Sequence, residues 1–307
     1  MSPVVLIIFN RPDLVERQCE RLRTLPLEQL FVIADGPREG TDDHEKCAAA
    51  RAIIDSTEWP CDVQRNYADK NIGCAKRIVS GLDWVFSKVD RAIILEDDCL
   101  ADHSFFPFCE ELLARYEHDD KVMHICGTNP LLKIDAPYSY RFSHHVFCWG
   151  WATWARAWSC NDLTMSLTKR ELRSLLKRFM QGNRIAIDFW TAEVDKTRRG
   201  KLDAWDYPWQ LSIWRHGGSS ILPNRNLISN AGFRDDATHT KNKDSHYANL
   251  PLQEMEFPLR HPPDKNYGYQ YDIRFIETGP GKIPDEWSGR KRGVLRRILS
   301  RVKRLHG

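Results

Sequence analysis

Three consecutive carboxylates, Glu96-Asp97-Asp98, follow the apolar run AIIL and are the residues best suited to chemistry. Three acids at the carboxyl end of a buried strand repel one another unless a cation or a hydrogen-bond network compensates. Hard divalent cations take such oxygen ligands, and Mg²⁺ uses one or two carboxylates completed by substrate phosphates. A metal held there would bridge a diphosphate and neutralise the charge that builds as it leaves. The same acids could instead be favourable charges ahead of the helix in SFFPFCEELLARY. No G-x-G-x-x-G and no G-x-x-x-x-G-K-[ST] occurs, which counts against a dinucleotide-binding fold or a P-loop enzyme. His144, His145, Cys148 and Cys160 are metal-ligand types, but their spacing fits no standard zinc site.

The acids need a scaffold. VVLIIF (4–9), LFVIAD (30–35), CDVQRNY (61–67) and RAIILEDD (91–98) read as strands. Helical patterns at 14–25, 43–55 and 75–88 separate them. Continuous apolar strands alternating with helices predict a parallel sheet covered on both faces. Ligands bind such sheets at the carboxyl ends of the strands. Asn10, Arg11, Asp35 and Glu96 to Asp98 should therefore line one rim. Further on, VMHICG (122–127) and SSILP (219–223) predict strands, and 184–198 and 204–218 predict helices. Thr168 and Glu171 form a capping box for another helix. Residues 240–285 are polar and proline-rich and should wrap the body.

Length and composition bound the rest. At 307 residues and 35.8 kDa, with 42% hydrophobic and 28% charged residues, the chain can bury a sizeable core. Its net charge is only +3, yet residues 287–307 carry eight Lys or Arg and no acid. Val294, Leu295, Ile298, Leu299, Val302 and Leu305 fall on one helical face there, the pattern of a helix lying on an anionic membrane. A solvated tail is the competing reading. The acidic remainder carries no nucleic-acid module, so no nucleic-acid partner is expected. No segment approaches the roughly 18 apolar residues of a membrane span, and the N-terminus lacks signal-peptide features. Nine scattered cysteines without a CxxC pair fit reduced thiols and a cytoplasmic protein, which the basic tail would place on the inner face of the membrane. Eight of the eleven tryptophans fall between Trp149 and Trp214. Their strand and helix spacings favour packing over sugar stacking for most of them.

Residues 3–98 resemble the nucleotide-sugar half of GT-A-fold glycosyltransferases, in particular the N-acetylglucosaminyltransferase I type and bacterial family 2-like enzymes. The resemblance rests on motif order: a first strand ending in Asn10-Arg11, LFVIAD ending in Asp35, the Asn71-Ile72-Gly73 loop, and ILEDD followed by Phe105-Phe106. It continues more loosely through Trp205-Asp206-x-x-Trp209 and His239-Thr240. It implies a mixed, mostly parallel α/β sheet with helices on both faces in a single large domain. It also implies Mn²⁺ or Mg²⁺ on Asp98, with His239 closing over the diphosphate as a further ligand. Arg11, Asp35, Asn71 and Asp97 would bind the donor nucleotide, and Asp206 would serve as catalytic base. Glu-Asp-Asp departs from the usual D-x-D, and Asp35 is followed by Gly-Pro.

A base for inverting transfer must take a proton on the side of the sugar away from the leaving diphosphate. Asp206 meets that condition, as do Asp188, Glu193 and Asp203. Asp206 could equally cap a helix starting near Pro208. The expected activity is transfer of a sugar from a nucleotide-diphosphate donor to a glycan or lipid-linked acceptor, metal-dependent and inverting. The alternatives are a metal-dependent nucleotidyltransferase and a non-catalytic sugar- or nucleotide-binding peripheral membrane protein. Residues 1–130 would form the donor half, 131–286 the acceptor half and 287–307 the basic tail.

Overall fold

A computed structural model describes residues 1–132, 137–234 and 248–272. Four strands alternate with three helices in the first third: β1 (Val4–Ile8), α1 (Pro12–Leu22), β2 (Gln29–Ala34), α2 (Asp43–Ser56), β3 (Asp62–Tyr67), α3 (Cys74–Phe86) and β4 (Arg91–Glu96). Then follow β5 (Cys99–Ala101), α4 (Phe105–Arg115), β6 (Val122–Cys126), β7 (Tyr140–Ser143), β8 (Trp151–Trp154), α5 (Ala155–Trp158), α6 (Lys169–Phe179), α7 (Arg184–Arg198), α8 (Asp206–Arg215), β9 (Ser219–Pro223) and β10 (Ile228–Asn230).

One eight-stranded sheet runs β3-β2-β1-β4-β8-β6-β9-β7, and β10 pairs with β5 in a small second sheet. The first four strands are parallel, while β8 and β7 run against their neighbours. The parallel first four strands are what the alternating pattern predicts, and the mixed, mostly parallel whole is what the resemblance implies. Every residue of β1 is buried, because helices cover both faces. One face packs Leu6, Val32 and Leu95 under Val15, Ala50 and Phe105 from α1, α2 and α4. The other packs Val5, Phe31 and Ile94 under Leu82, Trp158 and Trp209 from α3, α5 and α8. Burying each large apolar side chain of this kind contributes about 1.5–3 kcal/mol. Edge strand β3 has no fully buried residue, which explains its weak alternation.

The tryptophan-rich stretch is mostly core. Trp151, Trp154 and Trp158 are at most 3% exposed and belong to β8 and α5. Their mixed spacing reflects a strand passing directly into a helix. Four short strands, β5, β7, β8 and β10, escaped the sequence pattern because three or four residues carry too little period to detect. The Thr168–Glu171 capping box forms reciprocally as expected. All nine cysteines are free. No helix among the described residues is long and apolar enough to cross a membrane.

Candidate active site

The rim begins where β1 and β4 end side by side. Their parallel register sets Ile7 opposite Glu96, and the Asp97 N–H donates to the Ile7 carbonyl at 3.0 Å. Arg11 and the acids therefore emerge together. Pro12 starts α1 with its φ already suited to a helix, and Arg11 stands at the cap position without capping. Its guanidinium instead donates to both oxygens of Asp97 and to Asp98 Oδ2, the last at 2.8 Å. Burial works against the charged guanidinium, but the two carboxylates outweigh it and hold Arg11 firmly cationic.

Asp97 is 1% exposed. Burial pushes its carboxyl up, Arg11 pulls it back, and the charge of Asp98 adds to the rise. Glu96 is partly buried, and its side chain makes no hydrogen bond or ion pair among the described residues. Desolvation and the charge of Asp98 push its carboxyl upward. One guanidinium thus balances only part of the three-acid charge, and the imbalance favours a cationic ligand here.

Beneath the acids, Gln18 of α1 is fully buried and donates to the carbonyls of Glu96 and Cys99 at 3.0 and 2.8 Å. Above them, β10 pairs with β5 so that Asn230 faces Cys99, and the Ala231 N–H donates to the Asp98 carbonyl at 2.8 Å. The next residue, Gly232, lies so close that a Cβ there would stand 2.0 Å from Asp98 Oδ2. His239, Asp235 and Asp236 fall outside the described residues, as does the tail 287–307.

Asp35 follows β2 on the same rim. Its Oδ1 accepts from the Gly36 and Ile72 N–H groups at 2.8 and 3.1 Å, and Arg51 of α2 holds its carbonyl. Burial pushes the Asp35 carboxyl up, against those two hydrogen bonds. Asn71 donates its amide to the Gly36 carbonyl at 2.9 Å, so the two loops are laced together. A Cβ on Gly36 would meet the Lys70 backbone at 2.4 Å, so only glycine allows this approach. Ile72 is left 44% exposed beside Asp35. Asn10, the remaining rim residue, is occupied with Asp43 of α2, which Arg38 also holds.

Asp206 opens α8, with Trp205 rather than Asp206 at the cap position. The helix begins earlier than Pro208, so Asp206 is a first-turn acid favoured by the helix dipole. Its Oδ1 accepts from the Tyr207 N–H at 3.0 Å, and it is exposed. Its charge still reaches Glu96, Cys74 and Cys148, which places it within electrostatic range of the acidic rim. Of its rivals, Asp203 is committed to structure. Gly73 precedes α3 with φ +90° and has no side chain to cap it. Asp203 accepts instead from the Cys74 and Ala75 N–H groups at 2.7 and 3.0 Å. Glu193 pairs with Lys196 on its own helix, and Asp188 lies on the exposed side of α7.

Among the described residues, no three His, Cys, Asp or Glu side chains form a complete metal cage. With both oxygens of Asp97 taken by Arg11, Asp98 is the single carboxylate that Mg²⁺ or Mn²⁺ would share with substrate phosphates. Among the described residues, Asp98 Oδ1 has only the Cys99 thiol, 3.4 Å away. The residues fit the metal in kind.

No protein-family model and no curated protein sequence matches the chain. Solved structures do align with it. A mannosyltransferase from Pyrobaculum calidifontis in complex with GDP-Man and Mn²⁺ is 11% identical, covers 70% of this chain and 69% of its own, with a TM-score of 0.37. A cytidylyltransferase from Leptospira borgpetersenii is 14% identical, with coverage of 60% and 72% and a TM-score of 0.33. A mannose-1-phosphate geranyltransferase from Thermus thermophilus is 13% identical, with coverage of 75% and 76% and a TM-score of 0.36. Likenesses at this level assign no function to the chain.

Proposed function

We propose that the chain is a GT-A-type glycosyltransferase that moves a sugar from a nucleotide-diphosphate donor to a glycan or lipid-linked acceptor, with inversion. The observation that carries this reading is the rim itself. Arg11, Asp97 and Asp98 close one site at the ends of β1 and β4, and the Asp35–Asn71 turn stands at the end of β2. In this reading Asp35 accepts a hydrogen bond from the nucleotide base, and the exposed Ile72 gives the base an apolar face. Arg11 fixes the orientation of Asp97 and Asp98, and Asp98 would hold the divalent cation. A bound Mn²⁺ or Mg²⁺ supplies positive charge against the departing diphosphate. In this reading His239, seven residues beyond Gly232 in sequence, would be a further ligand of that cation. Asp206 takes the proton from the acceptor hydroxyl. The acceptor oxygen forms its bond to the anomeric carbon as the bond to the diphosphate breaks. The basic tail 287–307 rests on anionic membrane at the cytoplasmic face.

A thermal-shift screen of nucleotide-diphosphate sugars, with and without Mn²⁺ or Mg²⁺, tests the donor site directly. A ligand that binds only the native state raises its stability by mass action. The expected result is a metal-dependent rise with one donor, lost in Asp98→Ala. No rise with any donor overturns the reading. Deleting residues 287–307 should abolish binding to anionic vesicles, and unchanged binding removes the membrane role of the tail.

A further inference from the structure

Away from the acidic rim, α6 and α7 line an open groove of about 1040 Å³. Its floor is apolar, formed by Leu172, Ile187 and Val194, while Lys169, Arg173, Lys177 and Arg184 line its walls. Lys169, Arg173 and Lys177 follow one another at spacing four along α6, so they lie on one stripe and repel each other. Among the described residues none of these four cations makes an ion pair or a side-chain hydrogen bond. Arg184 is the first residue of α7, where the helix dipole disfavours positive charge. The acids of the groove do not compensate: Asp195 is paired with Arg199 at 3.1 Å, leaving Asp188 against these four and Arg198, which donates to the Met165 and Leu167 carbonyls.

A local sequence that breaks both the charge-pairing and the dipole rule gains nothing in folding, and such conflicts concentrate at functional sites. Unpaired cations ask for an anion, and two arginines among them match the oxygens of a phosphate. The apolar floor asks for hydrocarbon. The volume is that of a small-molecule site, roughly 300–1,000 Å³.

We propose that the α6–α7 groove binds a lipid phosphate, with the phosphate between Arg173, Lys177 and Arg184 and the hydrocarbon chain along Leu172, Ile187 and Val194. This site is independent of the donor rim and of the tail, and it stands whether or not the chain transfers sugar.

Isothermal titration of the full chain with dihexanoyl phosphatidic acid, kept below its micelle concentration, tests the groove without a vesicle surface for the tail. One saturable site is expected. It should weaken at least tenfold in the Arg173→Gln, Lys177→Gln double variant. Both positions are exposed and uncharged glutamines remove the repulsion along the stripe, so the variant should melt within about two degrees of the wild type. Dihexanoyl phosphatidylcholine and inorganic phosphate should each bind at least tenfold more weakly than the phosphatidic acid. Inorganic phosphate binding as tightly would assign the groove to free anions and overturn the lipid half of the proposal. Absence of saturable binding, or equal binding by a folded double variant, overturns it entirely.

Discussion

Gly232 lies against Asp98 so closely that a single methyl group would stand 2.0 Å from the carboxylate oxygen Oδ2. The segment after β10 is thus a wall of the acidic site, held there by the hydrogen bond from Ala231 to the Asp98 carbonyl. Gly232→Ala must displace either that wall or the carboxylate. Displacements of about 1 Å at reacting groups can cost on the order of 10²-fold in rate. The variant should keep its fold but lose the donor-dependent thermal shift and at least tenfold of any transfer rate. A variant with the wild-type shift and rate would show that the wall yields freely and does not position Asp98.

Gln18 sits beneath the same acids, and its amide is the buried donor shared by the Glu96 and Cys99 carbonyls. Gln18→Leu keeps the size of the side chain but leaves two carbonyls without that donor. An unsatisfied buried acceptor costs about 1–3 kcal/mol. The urea midpoint should fall by an amount equivalent to about 2–3 kcal/mol, and donor affinity should fall with it as the acid turn loosens. A stability change below about 0.5 kcal/mol, the usual span of an inert surface substitution, would mean the carbonyls find water instead.

The rim was legible in the sequence because parallel strands end at one edge, so Arg11, Asp35, Asp97 and Asp98 could be placed together from their positions after apolar runs. Its supports were not. Gln18 follows the helical period of α1 and reads as one more inward position, since period says nothing about what a polar side chain meets. Gly232 and the β5–β10 pair carry no period at all; three-residue strands are defined by their partner, here Leu100 and Ser229 at a sequence separation of 129. Arg77 and Arg51 reach the carbonyls at the ends of β2 and β3 from α3 and α2, a bridging role that shows only once helices are docked.

Asp203 illustrates the same limit and separates a structural acid from a catalytic one. It caps α3 from a distant loop, through the Cys74 and Ala75 N–H groups. Asp203→Ala should destabilise the protein by about 1 kcal/mol, the usual cost of losing a cap. Asp203→Asn keeps one of the two accepting oxygens and should restore part of that stability, with activity unchanged. Asp206→Asn should do the reverse, leaving the melting temperature within a degree or two while transfer falls at least a hundredfold. Loss of activity in folded Asp203→Asn with full activity in Asp206→Asn would move the base from α8 to the loop before it.

His124 couples the core to pH. It is fully buried on β6, stacked on Trp151 at 5.0 Å, and its Nδ1 accepts from the Trp209 Nε1–H at 3.2 Å. Its Nε2 lies 3.2 Å from the Phe147 carbonyl and must donate to it, so the contacts select the neutral ring. Burial lowers its pKa to about 3, well below the value near 6.5 of an unfolded chain. Between those values the unfolded chain holds the proton and the folded one does not, so stability is lost as the pH falls from about 6.5 towards 3. At pH 5 the loss from this one ring is about 2 kcal/mol. Because the raised carboxyls of Glu96 and Asp97 favour the folded state over the same range, the loss is read in urea unfolding at pH 7 and pH 5 as a difference between the wild type and His124→Asn. His124→Asn should start from a lower stability at pH 7, since Asn can still accept from Trp209 but the buried Phe147 carbonyl loses its Nε2–H donor, and should fall less between the two pH values. An equal fall in both proteins would mean that His124 is protonated in the folded state and that its ring contacts have rearranged.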